Sequence, residues 1–201
     1  DLTEITRIGD SQHFSNCGKL FVGQIIDLSR LTKLTSIDNG GTFNAVPLAG
    51  AILPDSCTKL STWTFQSNPT TSFAFSAPGI TAIPGSTFKE CKNLQIVYLD
   101  GPFTSIADNA FLSCNSLTTV CFTGTKAQLK TLIANTSSTG NSAFLNIAGA
   151  LGSDGEYANV ISYEDYLKHS NELKSGKKFA IYGYRYCHAV NGGVHTAANN
   201  A

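Results

Sequence analysis

The chain has 201 residues and a mass of 21.3 kDa, enough for one continuous core, or a main core with a small appended unit, and too little for two large domains. Its 14 basic and 14 acidic side chains cancel and only 14% of residues are charged, so no long-range field gathers nucleic acid or an anionic membrane surface. No apolar run approaches the roughly 18 residues that span a bilayer, no signal peptide is legible at the start, and with no Met the expectation is a soluble chain that is a processed form or a piece of a longer protein.

From the N-terminus, Ile8, Phe14, Cys17 and Leu20 set an order of Ile, Phe, Cys and Leu, with Ile25 at a strand position and Gly23 where an apolar residue is expected. Ile37 to Phe43 repeats the first half of that order with one extra residue. Asn44 to Ser56 reads as a Gly-, Pro- and Ala-rich insertion, and Cys57-x-x-Leu60-x-x-Trp63-x-Phe65 reads as the second half. The pattern is then written twice in full. Ile83, Phe88, Cys91, Leu94 and Val97 return as Ile106, Phe111, Cys114, Leu117 and Val120, a step of 23 residues.

A fixed period in the twenties marks a solenoid, in which one short unit cannot bury its apolar side and must stack on a neighbour; about four coils are expected, the first two irregular. Leu94-x-x-Val97-x-Leu99 and Leu117-x-x-Val120-x-Phe122 end in the period-two alternation of a half-buried strand. From Ile to Leu the step is close to three, that of a helical or 3₁₀ turn. The expected fold is an α/β solenoid with a parallel β-sheet on one face and short helical or 3₁₀ turns on the other.

Beyond the repeat, Leu129, Leu132 and Ile133 share one face of a helix over Lys126 to Asn135, with Thr125 as its N-cap. Asn135-Thr-Ser137 is a formal glycosylation acceptor, and Ser137 to Gly155 reads as loops around an apolar stretch from Ala143 to Leu151. Asn159 to Ser162 predicts a strand, Tyr163 to Leu173 a helix started by Ser162 and stopped by Gly176, and Lys178 to Tyr186 a second strand. Strict alternation puts Phe179, Ile181, Gly183 and Arg185 on one side of that strand and Ala180, Tyr182, Tyr184 and Tyr186 on the other. The expected organisation is a solenoid over 1–133 and a small α+β capping unit over 134–201, ending in a flexible tail from Asn191.

The segment Ile106-Ala-Asp-Asn-Ala-Phe-Leu-Ser-Cys-Asn-Ser-Leu-Thr-Thr-Val120 closely resembles the leucine-rich repeat of BspA-like surface proteins, whose unit reads Ile-x-x-x-Ala-Phe-x-x-Cys-x-x-Leu-x-x-Val. Cys121 to Ile133 resembles the Gly-Thr-x-x-Gln-Trp-x-x-Ile element that closes such arrays, with Leu129 in place of Trp. The resemblance is strong over 80–133, partial over 8–79 and absent from about 150 onward. It implies a secreted or cell-surface protein acting in adhesion, with a protein or glycan partner on a host or neighbouring cell.

Cys91 and Cys114, with Cys57 and Cys17 as equivalents, fall among inward apolar positions, where a small polarizable residue packs beside Phe; a disulfide between neighbouring coils is the weaker reading. Cys121 alternates outward, and a bridge to Cys187 is an alternative to two free thiols. Common catalytic spacings are absent, so no catalytic residue, enzyme activity or cofactor is assigned. His169, His188 and His195 with Cys187 fall short of a structural metal site, and Asp154 and Glu156 fit an ordinary turn better than a calcium loop. Binding is better motivated, because a solenoid presents the outward positions of its sheet as one surface. In this register those are Thr62, Thr64, Ile96, Tyr98, Thr119 and Cys121, with Tyr182, Tyr184 and Tyr186 as a second candidate surface. Ile96 and Tyr98 are either interface anchors or contacts beneath a cap. Unblocked solenoid ends offer another role, the homo-oligomeric subunit of an extracellular fibre.

Overall fold

A computed structural model describes residues 4–9, 14–19, 21–38, 40–168 and 176–184. In chain order its elements are β1 (Arg7–Ile8), β2 (Ile25–Asp27), β3 (Ser36–Ile37), β4 (Gly50–Ile52), β5 (Lys59–Leu60), β6 (Ser72–Ser76), β7 (Ala82–Ile83), β8 (Ile96–Asp100), β9 (Ser105–Ile106), β10 (Thr119–Phe122), α1 (Lys126–Ala134), α2 (Ser142–Ala148), β11 (Val160–Ser162), α3 (Tyr163–Lys168) and β12 (Phe179–Tyr182). Each coil has three sides. The widest is a parallel seven-stranded sheet in the order β11-β12-β10-β8-β6-β4-β2. A narrow second side is made of the two-residue ladders β1-β3-β5 and β7-β9, also parallel.

The third side consists of turns, and these produce the three-residue step. Cys91 N–H donates to Phe88 O and Leu94 N–H to Cys91 O, and Cys114 and Leu117 repeat both bonds one coil on. Left-handed non-glycine residues recur in register, as at Ser86 and Glu90 (φ 59° and 62°) and at Asn109 and Ser113 (φ 60° and 64°). That conformation costs roughly 1–2 kcal/mol per residue. It turns alternate N–H groups toward the next coil, so that Ser67 N–H reaches Lys89 O at 2.8 Å and Glu90 N–H reaches Leu112 O at 2.7 Å. The turns thereby form a third lateral hydrogen-bonded ladder.

Phenylalanine runs through the centre of the stack. The rings of Phe14, Phe43, Phe65, Phe88, Phe111 and Phe144 follow one another at centroid distances of 5.4, 5.9, 5.7, 5.2 and 5.1 Å, each pair near-parallel. This spacing sits just above the roughly 4.8 Å separation of neighbouring strands, so each coil contributes one ring per rung. The ladder passes residue 133 and ends on α2. Beyond it come β11, α3 and β12, whose strands continue the main sheet rather than starting another.

The register of the earlier coils differs from the sequence reading. Asn44 to Ser56 is no insertion, because it carries β4. Leu60, Phe65 and Asn68 stand where Ile83, Phe88 and Cys91 stand one coil later, so Trp63 lies in a turn rather than a strand. Cys57 belongs to a different inward position, three residues before the narrow ladder, shared with Leu34, Ile80, Phe103 and Ile133. The cause is chemical substitution in the core. Buried Asn68 replaces Cys and donates through Nδ2 to Val46 O and Leu48 O, both at 2.9 Å.

Candidate binding face

The outer rows of the main sheet follow from its register. One row runs Ile25, Gly50, Ala74, Tyr98, Cys121, Ile181 and Ile161 across the strands; beside it run Ser72, Ile96, Thr119 and Phe179. Ile96, Tyr98, Thr119 and Cys121 therefore sit on the outer face as expected. Thr62 and Thr64 do not, because the shifted register puts them in a turn. Thr64 is buried and its hydroxyl donates to Ser61 O at 2.7 Å, a bond that Thr87 repeats to Pro84 O.

The cap divides this face. Over β10 and β12 it is sealed by a second apolar cluster in which Cys121, Phe179, Ile181 and Tyr184 are buried and Ile96, Tyr98, Ile161, Tyr163 and Tyr166 are partly covered. Thr119 and Cys121 are only 4% and 2% exposed, which removes both from a docking surface. The Cys121 thiol is free and burial pushes its pKa well up, while Cys187 lies outside the described residues. Of the two readings for Cys121, a free thiol or a bridge to Cys187, the described residues carry the thiol, packed under aromatic rings.

Four tyrosines build the seal. Tyr98 lies 5.3 Å from Tyr184, which meets Tyr163 edge-on at 4.9 Å, and Tyr163 stacks with Tyr166 at 6.3 Å. Burial, with Cys121, Tyr166 and Tyr163 nearby, pushes the Tyr98 phenol up to about 12, and burial raises Tyr166 and Tyr184 in the same way. The proposed row of Tyr182, Tyr184 and Tyr186 is not one surface. Gly183 takes a left-handed φ of 67° after the last strand residue and reverses the alternation. Tyr182 consequently packs toward the main core and Tyr184 toward the outer cluster, and Tyr186 lies outside the described residues. The pair Tyr163 and Tyr166 went unread as part of the site, although a three-residue aromatic spacing on a short helix was its signal.

Toward β2 the face changes character. Gly50 and Ala74 form a shallow floor, for a Cβ on Gly50 would fall 2.4 Å from Ala74 O. Half-buried Ile25 and Tyr98 flank it along the row, and half-buried Ile52 and Ile96 stand beside it. Among the described residues no group of three or more His, Cys, Asp and Glu is placed to hold a metal ion. His169, His188, His195 and Cys187 lie outside those residues. Glu156 is ion-paired with Lys126 at 2.8 Å and Lys130 at 3.1 Å, and their hydrogen bonds hold its carboxyl below its ordinary range. This is a link between α1 and the loop that joins α2 to β11.

Parallel strands, short lateral ladders and a phenylalanine spine define a leucine-rich-repeat solenoid. Residues 6–147 match the BspA type leucine rich repeat region in six copies, and the chain belongs to that family. Among solved structures, a leucine rich cell surface protein from Faecalibacterium prausnitzii A2-165 is similar at 19% identity, over 55% of this chain and 36% of that one, with a TM-score of 0.41. No curated protein matches.

Proposed function

We propose that this chain is a recognition module of a secreted or cell-surface protein, binding a protein or glycan on a host or neighbouring cell, and that it is not an enzyme. The observation that carries this reading is the divided sheet face, with an aromatic seal at one end and a small-residue floor flanked by Ile25, Ile96 and Tyr98 at the other. A flat apolar strip with an aromatic at its edge suits a partner that contributes its own convex side chain or sugar ring. Membership of the BspA-type repeat family is consistent with a binding or structural module.

The test is a glycan array and a panel of immobilised extracellular-matrix proteins probed with the wild-type chain and with Ile96→Ala combined with Tyr98→Ala. A tenfold or greater loss, with the far-UV spectrum unchanged, supports the reading. Equal retention by the double variant overturns it. A fibre subunit is the second reading, favoured by the parallel edges that β2 and β11 present at opposite ends of the sheet.

A further inference from the structure

We propose that the turn side of the solenoid carries a binding site of its own, in which Trp63 stacks on an uncharged, β-linked gluco-configured sugar ring of an oligosaccharide. The site goes beyond the sheet-face reading and stands whether or not that face binds a partner. Trp63 is the one tryptophan of the chain, and the backbone beneath it suits other residues better. Two positions before each of the stacked rings Phe43, Phe65, Phe88 and Phe111 the chain is left-handed, with Gly41, Trp63, Ser86 and Asn109 at φ 84°, 60°, 59° and 60°. Gly adopts that conformation freely and Asn tolerates it, whereas a bulky side chain there is an outlier whose strain points to a function unless packing demands it. Packing does not demand it, because Trp63 stays 47% exposed. The rest of the ring leans on Gly40, where a Cβ would fall 2.7 Å from Trp63 Cε3. Gly40 is not left-handed, so the glycine there provides space for the indole rather than conformational freedom.

The surroundings select the ligand. Thr62 Oγ1 lies 3.4 Å from the same Cβ point on Gly40, and among the described residues neither that hydroxyl nor the indole N–H bonds to another protein group. Two hydrogen-bonding groups open to a ligand thus border one aromatic surface. Along the turn rows beside Trp63, whose N–H donates to Gly85 O and Ser86 N–H to Asp108 O, stand Gly85, Ser86, Asp108 and Asn109. None of them is a large apolar residue, so the clustered anchors of a protein hot spot are missing. Asp108, the one charge among them, accepts from the Ser137 hydroxyl and repels an anionic sugar. A β-linked gluco-configured ring carries no charge, keeps its hydroxyls equatorial and presents axial C–H groups on both faces. Those faintly positive C–H groups fit the electron-rich face of an indole, and the equatorial hydroxyls reach the polar groups at its border.

The experiment titrates cellohexaose into the whole chain and reads the emission of Trp63, which needs no label because the chain has no second tryptophan. A saturable change in emission is expected, and saturating sugar should lower the acrylamide quenching constant at least twofold. By calorimetry, Trp63→Asn, the residue that the same row carries at Asn109, should weaken binding at least tenfold with the far-UV spectrum unchanged, whereas Trp63→Tyr should stay within tenfold of wild type. The quenching measurement uses wild-type protein and so remains decisive if the Asn variant does not fold. Unchanged emission and quenching across the titration overturn the proposal. Cellohexaose that binds without protecting Trp63 is held elsewhere, on the sheet face for instance, and overturns it too. So does undiminished binding by Trp63→Asn, or protection of Trp63 by immobilised matrix protein but not by the sugar.

Discussion

Asn68 shows what the core asks of the position that Cys91 and Cys114 fill one and two coils later. The thiols of Cys91 and Cys114 donate to Phe65 O at 3.3 Å and Phe88 O at 3.0 Å, so each is at once a small apolar filler and a weak donor to the preceding coil. Asn68 carries two donors and also accepts from Thr70 N–H at 2.8 Å, tying the turn to the strand it precedes. Asn68→Ala removes both amide donations, although Val46 O keeps Leu48 N–H at 2.8 Å and Leu48 O keeps the Thr70 hydroxyl at 3.0 Å, and it leaves Thr70 N–H without its side-chain acceptor; it is expected to lower the unfolding free energy in a urea titration by about 1–3 kcal/mol. A loss near zero would mean that water replaces the amide. Tyr98 makes a pH prediction. Its folded pKa of about 12 lies above its ordinary value of 10, so the fold holds this proton more tightly than the unfolded chain does. The associated stability is fully present below pH 10 and lost as pH rises through 12. The thermal midpoint should fall between those limits, and Tyr98→Phe should reduce the fall; an identical fall in the variant would assign the effect to other groups.

At the scale of elements, α1 is held at its start by a reciprocal pair. Gln128 N–H donates to Thr125 Oγ1 at 3.3 Å, and Thr125 N–H donates back to Gln128 Oε1 at 2.8 Å. Thr125→Ala removes the first bond and should cost about 1 kcal/mol, typical of a lost N-cap. Circular dichroism melts would detect this, whereas Thr125→Ser should be near neutral. This helix was legible in sequence because its cap and its buried face, Leu129, Leu132 and Ile133, are local features. The two full repeats were legible because identical residues recur. The coil around Leu60 was misread for the opposite reason. Its core position is met by amide chemistry instead of a thiol, and its tempting Cys57 serves another row. The fate of Thr119 and Cys121 was illegible as well, since strand alternation shows only that a side chain leaves the main core, not that a distant segment returns to cover it. Tyr184 escaped because one left-handed glycine, Gly183, undoes a parity that the letters alone preserve.

For the whole molecule, the decisive physics lies at its two ends. A parallel solenoid can extend indefinitely by setting β11 of one copy against β2 of the next, since both strands run the same way and such a contact need not close. Against this, each edge strand is only three residues long, β2 ends on the carboxylate of Asp27, and β11 leads directly into α3. Short charged edges are a recognised defence against edge-to-edge growth. A main-chain contact of three residues buries too little apolar surface to offset the entropy lost when two copies associate. Light-scattering mass measured across a wide concentration range is accordingly expected to stay at that of a single chain, 21.3 kDa, with no filaments in negative stain. Filaments that persist when the outer edge of β2 is blocked by Ile25→Pro, whose N–H alternates away from β4, would show that growth uses another surface. Filaments abolished by that substitution would make the solenoid ends the functional sites and adhesion secondary. A constant monomer leaves the fibre role without a mechanism, because the three-residue edges of β2 and β11 then carry no contact between copies.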